Sequence, residues 1–129
     1  MPHGPAARTI LVVEDDPGVR ELVRVMLESG GYRVVAAAGA AEAEELCAAG
    51  GEGIDLVLTD VVMPGMNGGA LAQRLAGLCP STRVLFMSGY SDEAVDHHGV
   101  LRPESAFVEK PFTALTLTRK VRELLDRPV

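Results

Sequence analysis

Four short apolar runs in this chain are unbroken by polar residues, and each ends within two positions of a side chain able to do chemistry. Ile10-Leu11-Val12-Val13 leads into Glu14, Asp15 and Asp16, and Leu56-Val57-Leu58 leads into Thr59 and Asp60. Val84-Leu85-Phe86-Met87 is closed by Ser88, and Ala106-Phe107-Val108 is followed by Glu109 and Lys110-Pro111. A strand with one wet face alternates apolar and polar residues. An unbroken run signals a strand covered on both faces, as in a parallel sheet between two helix layers.

The intervals between the runs carry helical spacing. Five strands are predicted over residues 9–14, 33–37, 55–59, 83–87 and 106–108. In the first interval Val19, Leu22, Val23, Met26 and Leu27 form one stripe. Asp16 is placed to cap this helix, Pro17 suits its first turn, and Gly30-Gly31 can stop it. A second helix, over 40–49, turns Ala43, Leu46 and Cys47 inward. A third, over 68–78, has Ala72, Leu75, Ala76 and Cys79 on its inner face. The fourth, over 91–98, has little apolar periodicity and is expected to be short or frayed. The last starts after Thr113 and buries Leu117, Val121, Leu124 and Leu125.

Strand-helix alternation with short links implies right-handed crossovers and one α/β domain spanning 9–126, with short tails at 1–8 and 127–129. Ligands on such sheets bind beyond the carboxyl ends of the strands. Asp15, Asp16, Asp60, Ser88 and Lys110 all fall there. Three carboxylates, a hydroxyl and an ammonium on one sheet edge suit a divalent cation and the transfer of a phosphoryl group to an aspartate.

The acids need a counter-charge, because crowded carboxylates repel. Oxygen donors suit magnesium, with manganese as the alternative. Glu14 is expected to face away from Asp15, since neighbours on a strand point to opposite sides, and is not placed among the ligands. No His or Cys spacing suits zinc. His97 and His98, beside Asp96, read as a solvated helix end, and His3 as tail.

Composition closes off other classes. The 129 residues carry a net charge of −6 and show no clustered basic face, which argues against direct nucleic-acid binding. No apolar stretch reaches membrane-spanning length, and residues 1–8 lack the apolar core of a secretion signal. Cys47 and Cys79, set far apart, read as reduced thiols of a cytoplasmic protein.

The segments VVEDDP, LTDVVMPGMNG, LFMSGYSD and FVEKPF, in that order, resemble the receiver domain of two-component response regulators. The likeness runs from about Thr9 to Leu125. It implies a flavodoxin-like (βα)5 three-layer sandwich whose five-stranded parallel sheet has the order 2-1-3-4-5. It implies Asp60 as phosphoacceptor, Asp15 and Asp16 with the Val62 carbonyl as further magnesium ligands, Lys110 on the phosphoryl oxygens, and Ser88 as switch hydroxyl. Phe107 holds the place of a switching aromatic, where many members have Tyr; a permanently buried core residue is the other reading. Val62 and Tyr90, two residues after Asp60 and Ser88, are candidates for tuning phosphoryl lifetime.

The implied partner is a histidine kinase or a histidine phosphotransfer protein, and the implied state a monomer or weak homodimer. The implied chemistry is self-catalysed phosphotransfer and dephosphorylation rather than turnover of a substrate. The MSGYSDEAVDHHGVL segment resembles receivers at the carboxyl end of hybrid sensor histidine kinases. Two alternatives stand beside this: a pseudo-receiver that only binds partners, and a magnesium-dependent phosphohydrolase of the haloacid dehalogenase type. The latter needs a second Asp two residues after the nucleophile, and Val62 stands there.

Overall fold

The computed structural model describes residues 8–50, 53–60, 62–63, 66–78, 82–88, 106–109 and 112–126. The strands are β1 (Thr9–Val13), β2 (Arg33–Ala37), β3 (Leu56–Asp60), β4 (Val62–Met63), β5 (Met66–Asn67), β6 (Arg83–Ser88) and β7 (Ala106–Glu109). The helices are α1 (Pro17–Ser29), α2 (Ala40–Gly50), α3 (Gly68–Leu78) and α4 (Ala114–Asp126). Five strands form one parallel sheet in the order β2-β1-β3-β6-β7. With β4 and β5 set aside as a short antiparallel ribbon, this is the anticipated 2-1-3-4-5 order. The expected fourth helix over 91–98 lies outside the described residues, as do Tyr90, His97, His98 and Cys79.

The runs of β1 and β3 are buried on both faces, and the period of two sorts the buried residues of the sheet into two cores. Ile10, Val12, Leu56, Leu58, Leu85, Met87 and Val108 face α1 and α4, where they meet Val23, Leu27, Leu117, Val121, Leu124 and Leu125. Leu11, Val13 and Val57 face the other way, against Ala43 and Cys47 of α2 and Leu71 and Leu75 of α3. Each fully buried Leu or Val contributes about 1.5–3 kcal/mol relative to exposure. The sheet is therefore the middle layer of three, and β3 lies at its centre.

Helix α1 begins and ends as its sequence prescribes. Asp16 Oδ1 accepts from the Gly18 and Val19 amides at 2.8 and 3.2 Å, and Pro17 occupies the first turn. At the other end Gly31 has φ 94°, a conformation that favours glycine. The Gly31 amide bonds the Glu28 carbonyl, and the Tyr32 amide bonds the Leu27 carbonyl. This pair of bonds satisfies the last carbonyls in a Schellman turn. Helix α4 opens on Thr113, whose Oγ1 accepts from the Thr116 amide at 3.1 Å.

Two helix faces differ from the sequence expectation. Leu22, placed in the α1 stripe, is 55% exposed. At about 100° per residue it lies about 120° from the midline of buried Val23 and Leu27, too far round to reach the sheet. In α3 the buried pair is Leu71 and Leu75, whereas Ala76 is exposed. Small alanines gave the expected α3 face too little weight to fix its direction. Among the described residues no helix is long and apolar enough to cross a membrane.

Candidate functional site

The parallel register brings the carboxyl ends of β1, β3, β6 and β7 to one edge. Val13 pairs with Thr59, Thr59 with Phe86, and Phe86 with Phe107. One residue further on, Asp60 pairs with Met87, and beyond that Ser88 pairs with Glu109. Asp60 is thus the last residue of the central strand, and its side chain is only 5% exposed. Lys110, the next residue after Glu109, lies outside the described residues.

The segment after β1 approaches this carboxylate. Glu14, Asp15 and Asp60 each offer a carboxylate oxygen, and the three oxygens lie within 4.8 Å of one another. Glu14 and Asp60 are buried, while Asp15 is open to solvent. Three anionic groups at this spacing in a partly desolvated edge repel one another, and a cation among them would offset that repulsion. Their all-oxygen donor set fits a hard divalent ion such as magnesium or manganese and leaves positions for water.

Asp16, expected beside Asp15 in the ligand set, is not among these three acids: its Oδ1 is engaged at the amino end of α1, and the third acid of the group is Glu14. The alternation argument failed because it was carried past the end of the strand. The Glu14 amide still bonds the Ala37 carbonyl at 3.1 Å, one residue beyond the last β1 residue. The chain then bends at Asp15, so the two side chains no longer point to opposite faces. Glu14 Oε2 also accepts from the Asp16 amide at 3.1 Å, which folds the longer side chain back toward the bend. The signal for Glu14 was its position as the first acid after the apolar run.

The ribbon β4-β5 follows Asp60 directly, pairing Val62 with Asn67 and Met63 with Met66 before α3 begins. It sets the Val62 backbone two residues beyond the acid. Phe107 is half-buried, with its ring centroid 5.8 Å from that of buried Phe86 and the planes at 37°. Since both rings lie in the row that runs through Thr59, Phe107 lies two strands from the central acid and one row below it.

Comparison with known proteins agrees with this geometry. Residues 10–122 match the family model described as "Response regulator receiver domain". The chain is 36% identical over 119 residues to the sensor kinase CckA of Brucella abortus, an alignment covering 92% of this chain and 13% of that kinase. It is 30% identical to the response regulator receiver protein CpdR of the same organism, covering 92% of this chain and 97% of CpdR. The crystal structure of a response regulator receiver protein from Sinorhizobium medicae superposes with a TM-score of 0.81 at 28% identity, covering 95% of this chain and 98% of that one.

Proposed function

Since the chain belongs to the response regulator receiver domain family and is a receiver domain of two-component signalling, we propose that Asp60 is its phosphoacceptor and that Glu14, Asp15 and Asp60 hold the divalent cation. The observation that carries this reading is the convergence of those three carboxylates, from two strand ends, within 4.8 Å. Among them only Asp60 belongs to the central strand, next to Met87 and one residue short of the row holding Ser88.

The donor is a phosphohistidine on a histidine kinase or phosphotransfer protein. An Asp60 carboxylate oxygen attacks phosphorus, a new O–P bond forms, and the P–N bond breaks with its electron pair returning to the imidazole. The product is an acyl phosphate, and later attack by water returns inorganic phosphate. Little acid-base chemistry is required of the protein, because position and charge neutralisation carry most of the rate. A bound divalent cation supplies positive charge that offsets the anionic oxygens of acceptor and phosphoryl group.

Resemblance to the family supports three further roles. Lys110 supplies a second positive centre at the phosphoryl oxygens, Ser88 bonds one of them after transfer, and the Val62 carbonyl adds a metal ligand. The same resemblance makes Val62 and Tyr90, two residues after Asp60 and Ser88 in sequence, the candidates for limiting water access to the acceptor. Phe107 stacks against Phe86 and would respond to movement at Ser88 through the intervening strand end. The identity to CckA favours a hybrid sensor kinase as one natural setting for such a domain.

The test is incubation with acetyl phosphate and magnesium, read by intact mass. One added phosphoryl group is expected in the wild-type protein and none in Asp60→Asn. An unmodified wild-type protein would leave the partner-binding pseudo-receiver as the better reading. A modified Asp60→Asn variant would move the acceptor elsewhere.

A further inference from the structure

Arg20 has no place in the chemistry above, yet it reaches back to the acidic edge. It lies in the second turn of α1, and its amide makes a helical bond to the Asp16 carbonyl at 2.9 Å. Its half-buried side chain runs the other way along the helix, and Nη1 donates to the Glu14 carbonyl oxygen at 2.8 Å. That carbonyl belongs to the peptide joining the two acids that precede the cap.

The Glu14 backbone is held at both ends. Its amide bonds the Ala37 carbonyl of β2, and its carbonyl accepts from Arg20. Fixing that carbonyl fixes the plane of the Glu14-Asp15 peptide, and with it the place of the Asp15 Cα from which the side chain departs. The bend at Asp15 lies outside the strand, so the sheet ladder cannot do this. We infer that Arg20 is a positioning residue: by pinning the Glu14 carbonyl, it holds Glu14 and Asp15 in register with Asp60 for the cation. The inference rests on the metal site proposed above and goes beyond it.

Geometry and charge make opposite forecasts. A guanidinium beside a cation site repels the cation, so a purely electrostatic Arg20 would weaken binding and its removal would tighten it. A positioning Arg20 does the reverse, as partners that orient metal ligands do. Titration of the full chain with magnesium chloride by calorimetry separates the two. Arg20→Ala is expected to weaken magnesium binding about three- to tenfold. Hydrogen exchange at the Asp16 amide, which bonds Glu14 Oε2, is expected to quicken in the metal-free protein. Unchanged or tighter magnesium binding overturns the inference, and so does unchanged exchange.

Arg24→Ala is the control for a general loosening of α1, because Arg24 pairs with exposed Glu21 and Glu28 of the same helix and, among the described residues, with no group of the acidic edge. Its magnesium affinity is expected to match the wild type, and an equal loss there would overturn the assignment. Glu14→Gln separates the two levels of the argument. If it loses magnesium while Arg20→Ala does not, only the positioning role fails. If the wild-type protein binds no magnesium, the metal site and the positioning role fail together.

Discussion

Replacing Asp60 with Asn should make the metal-free protein more stable. The three carboxylate oxygens of Glu14, Asp15 and Asp60 lie within 4.8 Å of one another. At that separation two unit charges repel by about 3.5 kcal/mol at an effective dielectric of about 20, and by about 0.9 kcal/mol in bulk water. Among the described residues Asp60 has two such acidic neighbours, one buried and one exposed, so the two limits bracket them. Asn preserves the shape and one carbonyl acceptor but gives up the second oxygen's bonds, which offsets part of the relief. The expected net gain is about 1–3 kcal/mol in chelator, or a rise in melting temperature of about 3–10 °C for a domain of this size. Urea unfolding followed by far-ultraviolet circular dichroism suits a chain without Trp. Magnesium should close the gap, because a ligand that binds only the folded state stabilises by RT ln(1 + [L]/Kd), and only the wild type retains the full donor set. If Asp60→Asn is less stable than the wild type in chelator, or if magnesium leaves the difference unchanged, the three acids do not form the strained cluster described here.

Asp16 and Glu14 should separate cleanly in their effects. Asp16→Ala removes the α1 cap and should cost about 1 kcal/mol of stability while leaving magnesium affinity within about twofold, whereas Glu14→Gln should weaken magnesium at least about tenfold. Equal losses of metal affinity in calorimetry would return Asp16 to the ligand set. Gly30→Ala should destabilise the packing of α1 on α4, since the new Cβ would lie 2.9 Å from Thr118 Cγ2, at a cost of about 1–3 kcal/mol. Thr118→Ser removes that methyl group and keeps the hydroxyl that bonds the Ala114 carbonyl. A double-mutant cycle in urea should show the second change recovering most of the first, and strict additivity would contradict the contact.

The architecture was open to reading because the unbroken runs leave few alternatives. A segment such as Leu56-Val57-Leu58 has no wet face, and the sheet obliges by burying both sides. Caps at Asp16 and Thr113 and the stop at Gly30-Gly31 were legible for a similar reason: each residue type answers one local hydrogen-bonding or dihedral need. Side-chain direction at element ends was not. Leu22 and Ala76 were assigned inward by stripes broad enough, or built from residues small enough, to leave the angle of each helix open. Glu14 was assigned away from the acids by a periodicity that ends where the strand does. In each case local pattern stated that an element exists, and tertiary contact decided which way its marginal residues face. The sequence also does not display that Asp16 Oδ1 lies on the open amides at the start of α1 while the carboxylates that converge are those of Glu14, Asp15 and Asp60.

The two sources of the acidic edge differ in stiffness. Asp60 ends the central strand, paired with Met87 on one side and following Thr59, which is paired on both, so the sheet ladder supports its backbone. Glu14 and Asp15 ride on three residues between a strand and a helix, held by a few individual bonds. A change of charge at this edge therefore meets a stiff support under Asp60 and a lighter one under Glu14 and Asp15.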